Sequence, residues 1–105
     1  MGYILRGESD VRDRQVMGIN FNPCQGTEFF IPDHFLYKVE ISSRSDTEMV
    51  KFYYSIGTVI VFGNTLGSIY VNARRYNLDY VFVGGRRDDE RHKVTQIDIK
   101  DISSR

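Results

Sequence analysis

The chain has no tryptophan, one cysteine, two prolines and a formal net charge of zero. Alanine is nearly missing as well, since Ala73 stands alone. Each shortage excludes something. A single cysteine rules out an intrachain disulfide and any multi-cysteine zinc site, and it fits a reducing compartment. Helical proteins are rarely so poor in their best helix former, so the alanine count argues against an all-α fold. The 14 basic residues are matched by 14 acidic ones, leaving none of the basic excess that nucleic-acid-binding proteins usually carry. No apolar run approaches the roughly 20 residues of a membrane-spanning helix. The opening stretch MGYILRGESD has too short an apolar segment for a secretion signal. The expectation is a soluble, cytoplasmic protein (host cytoplasm if the source is viral or phage) with no membrane contact.

What is present leans to β structure. Seven Tyr and seven Phe accompany many Val and Ile, a composition that fits pleated, half-buried strands. A chain of 105 residues has room for one domain, 1–105, with one core. Alternation with a period of two recurs from end to end. QVMGINFN (15–22) is closed by Pro23 and Gly26, and FFIPDHF (29–35) is broken by Pro32. LYKVEIS (36–42) places Tyr37, Val39 and Ile41 on one face. Residues 43–56 carry two patterns. Ser45 and Glu48 have the spacing of a helix capping box, whereas Val50, Phe52, Tyr54 and Ile56 alternate as a strand would. The aromatic and β-branched content favours the strand. TVIVF and SIYVN flank the turn-rich GNTLG, while DYVFV and VTQIDI flank the charged GGRRDDERHK, so two hairpins are expected. The predicted fold is all-β: a small SH3-like barrel first, a compact β-sandwich second, with six to seven short antiparallel strands.

The most conspicuous charges are two arginine pairs, Arg74–Arg75 and Arg86–Arg87, on either side of one apolar strand. At the usual rise per residue the intervening strand holds them roughly 20 Å apart, so one phosphate cannot bridge them. Asp88, Asp89 and Glu90 follow the second pair and neutralise it, which makes it the trim of a hairpin tip. Arg74, Arg75 and Tyr76 have only Asp79 nearby in sequence. They are the candidate ligand-binding residues, a cation-plus-aromatic group of the kind that holds a phosphate backbone or a base. Cys24, in NPCQG, has no base placed beside it by the sequence and reads as a turn residue. His34 and His92 show no metal-ligand spacing. No catalytic residue, metal or cofactor is expected.

Two short stretches resemble known families. TEFFIPDHFLYKV (27–39) is similar to the closing segment of ADP-ribosyltransferases, with Glu28, Pro32, Tyr37 and Val39 in step with a catalytic glutamate, a proline, an aromatic and a valine. That family also needs upstream arginine and serine motifs for NAD, and Gly26 stands where it usually has Glu or Gln. INFNPCQGTE (19–28) resembles the first-strand signature of MazF-type toxin ribonucleases, which are small SH3-like barrels. The Arg-Pro pair that follows in that family is replaced here by FFIPDHF. The two stretches overlap and neither brings its family's catalytic set, so neither membership is adopted.

The expected function is a non-enzymatic binding module that acts through protein–protein contacts, as an adaptor, an assembly subunit or an inhibitor of a larger enzyme. Tyrosine in surplus of one small core favours interfaces. Zero net charge and sheet edges add the expectation of a homodimer. The alternative is an RNA-binding or RNA-cleaving small β-barrel, so nucleic acid is possible as a partner but not favoured.

Overall fold

Alternating apolar residues become strands here because each sheet of a sandwich turns one face inwards and buries every second side chain. The computed structural model describes residues 3–5, 17–24, 26–84 and 93–101. In chain order these form β1 (Tyr3–Leu5), β2 (Gly18–Cys24), β3 (Thr27–Pro32), a 3-10 turn (Asp33–Phe35), β4 (Leu36–Arg44), β5 (Thr47–Tyr54), β6 (Gly57–Asn64), α1 (Gly67–Arg74), β7 (Leu78–Phe82) and β8 (Lys93–Lys100).

The strands divide into two four-stranded sheets, ordered β1-β7-β2-β3 and β4-β5-β6-β8. The sandwich alternative is therefore the one adopted, and a closed barrel does not form. Continuity breaks after β3, where Pro32 has no N–H to donate and the 3-10 turn carries the chain into the second sheet. Pairing is antiparallel except between β2 and β7, which run parallel. The eight strands among the described residues exceed the six to seven expected.

The core lies between the sheets. Phe21 of β2 meets Phe52 and Tyr54 of β5 edge-on, with ring centroids 5.2 and 6.3 Å apart. Ile19, Ile31, Leu78 and Val81 from the first sheet and Val50, Val59, Val61 and Val94 from the second complete the contact. The alternation of residues 47–54 resolves as strand, with Val50, Phe52 and Tyr54 buried.

Three expectations are overturned. SIYVN is not a strand but the body of α1, in which Ile69 and Ala73, one turn apart, are buried. Its first residues have no side-chain cap of their own. Instead the Leu66 N–H donates to the Glu48 carboxylate, which reaches over from β5 at 2.5 Å. The glutamate that suggested a local capping box thus caps a different helix, where its charge also suits the N-terminal dipole. Second, β7 and β8 are not hairpin partners. They belong to different sheets, and among the described residues the chain two residues beyond β7 meets β8 at an isolated bridge, Gly84 to Val94. The tip residues Arg86 and Arg87 lie outside the described residues. Third, Tyr37 does not share a face with Val39 and Ile41. Those two pair with Phe52 and Val50, but the register shifts between Leu36 and Lys38. This bulge turns Tyr37 outwards, leaving it 69% exposed.

Among the described residues no helix is long and apolar enough to cross a membrane.

Candidate functional site

The last turn of α1 places the arginine–tyrosine group. The helix ends with Arg75 as its C-cap, and a full Schellman closure follows. Tyr76 N–H donates to the Ala73 carbonyl at 3.1 Å, and Asn77 N–H to the Asn72 carbonyl at 2.9 Å. The Asn77 side chain adds a bond to the Asn72 amide oxygen at 3.2 Å. This closure requires the residue after the C-cap to be left-handed, and Tyr76 has φ 55°. Glycine is the usual occupant of that position because a Cβ is disfavoured there. A tyrosine, half exposed at 52%, occupies it instead.

The α1 terminus lies against the start of β4. Between them opens a groove of about 210 Å³, lined by residues 36–39 and by Ala73, Arg74 and Tyr76. The structure thus brings Arg74 and Tyr76 together. Arg75 is exposed beside them but does not line the groove. Arg74 lies 5.5 Å over the Tyr70 ring, a cation–π contact that leaves the charge facing solvent. Asp79, the acid nearest in sequence, is buried in β7 at 1% exposure.

The outer face of the second sheet continues the site. Lys38 pairs with Glu40 at 2.6 Å and lies 5.3 Å over the Tyr53 ring. The Tyr53 hydroxyl donates to Glu40 at 3.2 Å, and the Tyr37 and Tyr53 rings are 6.3 Å apart. The hydrogen bond and charge of Glu40 hold the Lys38 ammonium above its ordinary pKa, and Lys38 holds the Glu40 carboxyl below the usual carboxylate range. Burial, aided by the Glu40 charge, pushes the Tyr53 phenol up. The lowered carboxyl means the pair's contribution is present above the ordinary carboxylate range and fades as pH falls through the lowered value. The raised ammonium means it persists up to the ordinary lysine range and fades above it. The pair stays intact across neutral pH and is no physiological switch.

Cys24 lies elsewhere, exposed at the end of β2 where the chain turns into β3, with its thiol 3.3 Å from the Thr27 hydroxyl. It borders a separate cavity of about 580 Å³ with Asn22, Pro23, Gly26, Phe82 and Val83. Glu28 and His34 line neither of these two cavities. Among the described residues no three His, Cys, Asp or Glu side chains gather as a metal site. His92 lies outside the described residues.

Sequence periodicity does not mark Tyr37 and Lys38 as neighbours of the arginine–tyrosine group. The signal that hid them is the bulge, since strict alternation assigns Tyr37 to the core side. No protein-family model matches the chain, and no curated protein or solved structure is significantly similar to it.

Proposed function

We propose that the domain is a non-enzymatic binding module that engages a protein partner, as an adaptor, an assembly subunit or an inhibitor of a larger enzyme. Its contact site is the groove between α1 and β4. The observation that supports this is Tyr76. A left-handed tyrosine costs about 1–2 kcal/mol relative to an unstrained residue, and backbone strain tends to be kept where a side chain has work to do. Here the strained residue is an exposed aromatic beside a groove, next to a second exposed tyrosine and an arginine. Tyrosine and arginine are enriched among the residues that carry binding energy at protein interfaces.

The test is Tyr76→Gly. Glycine fits the Schellman position, so the variant should gain about 1 kcal/mol of stability in chemical denaturation. Capture of a partner from lysate of the source cells, insensitive to nuclease with the native chain, should be lost with the variant. Retention of the captured partner by a stabilised Tyr76→Gly protein would sink the assignment of the site. The RNA reading draws on the same cations and tyrosines, which could stack bases, and nuclease-sensitive capture would favour it.

Self-association accompanies this proposal. β3 is an edge strand among the described residues, with Phe29 40% exposed, and zero net charge offers no repulsion. Light scattering at high concentration should show a dimer, and a strictly 12.2 kDa species would refute it.

A further inference from the structure

We propose that the groove and the outer edge of β4, open among the described residues, together take an extended, acidic segment of a partner protein, which adds as a further strand to the second sheet. This rests on the protein-binding reading and specifies the chemistry of the partner.

β4 is nine residues long and, among the described residues, pairs only with β5. Its first half runs beside the end of α1, and residues 41–44 are all exposed. An unpaired edge offers a row of main-chain donors and acceptors that another extended chain can satisfy, and pockets beside the edge then select its side chains. The groove supplies such a pocket, walled by Tyr37 and Tyr76.

Charge selects the sequence. Arg74 and Arg75 have no acidic partner among the described residues. A helix C-terminus carries only about half a negative charge, so two arginines exceed what α1 needs. On the sheet face Glu40 answers both Lys38 and Lys51, with Lys51 opposite it across the β4–β5 pair. The zone around the groove is therefore locally positive although the chain is neutral. Carboxylates on an incoming strand would pair with Arg74 and Arg75, while an apolar or aromatic neighbour enters the groove. A single-stranded nucleic acid fits less well. It cannot use the main-chain edge, and Glu40, bonded to Tyr53, stands among the rings where bases would stack.

The experiment titrates the isotopically labelled domain with octapeptides in which Val alternates with Glu, Gln or Lys, and separately with octauridylate, following amide resonances. The Glu peptide should bind at least about tenfold more tightly than the Gln peptide, weaken with added salt, and shift residues 41–44 together with Tyr76. Arg74→Ala with Arg75→Ala should erase that preference, and Glu40→Gln should increase it. Resonance dispersion of each variant shows that it remains folded. Equal binding of the Glu and Gln peptides, or shifts confined to surfaces away from β4, would overturn the proposal while leaving the protein-binding reading intact. Octauridylate binding more tightly than every peptide would overturn both.

Discussion

Replacing Phe21 by alanine should remove about 3–5 kcal/mol of folding stability, the range for truncating a fully buried aromatic side chain. Phe21 is 0% exposed. Its ring is held edge-on by Phe52 and Tyr54, and those two residues belong to the other sheet. The side chain therefore contributes its own transfer from water and joins the two layers as well. A domain of this size typically has only about 5–15 kcal/mol in hand, so the alanine variant will sit close to unfolding. Phe21→Leu keeps most of the volume and should lose less, which gives a graded comparison. Denaturant titration should show the midpoint falling in that order with little change in slope. A loss below about 1 kcal/mol for Phe21→Ala would mean that the sheets are held together elsewhere.

The part of the core that β5 supplies was legible because burial and alternation coincide there. Val50, Phe52 and Tyr54 alternate in sequence and all point inwards in β5. The helix was hidden for two reasons. Ile69 and Val71 favour strands intrinsically, and the cap that starts α1 comes from Glu48, 18 residues earlier in the chain. A local reading can find a capping box within one segment but not a cap lent by a neighbouring strand. The second hairpin failed on another ground. β7 is an interior strand with β1 on one side and β2 on the other, so no edge remains for β8. Sequence adjacency suggested a pair that only long-range strand order could forbid.

The groove that forms the candidate site was half legible for the same kind of reason. Arg74 and Tyr76 stand out as a cation and an aromatic with little acid nearby, and they do line one groove. Its opposite wall comes from β4, where Tyr37 reaches the surface through a bulge that periodicity cannot anticipate. The left-handed conformation of Tyr76 was equally out of reach. Asn77, a residue that tolerates that conformation, stands one position too late, so nothing in the sequence marks Tyr76 as the residue that must adopt it.

Gly18→Ala should cost about 1–3 kcal/mol, the range for forcing extra volume into a packed site. Gly18 opens β2 opposite Pro32. A Cβ built there would lie 2.5 Å from the Ile31 carbonyl oxygen and 2.7 Å from the Phe30 ring. The missing side chain is what lets Phe30, on the edge strand β3, lay its ring across its neighbour, a known way for an aromatic to cover a strand glycine. The two contacts can be separated. Phe30→Ala removes the ring but not the carbonyl oxygen, and backbone yields less readily than a flexible ring. The double variant should therefore recover part of the Gly18→Ala loss, giving a non-additive cycle with a coupling of about 0.5–1 kcal/mol. Full recovery would place all the strain in the ring. Strict additivity would mean that Phe30 does not cover Gly18 in solution, and that the β3 edge presents a more open aromatic surface than the structure shows.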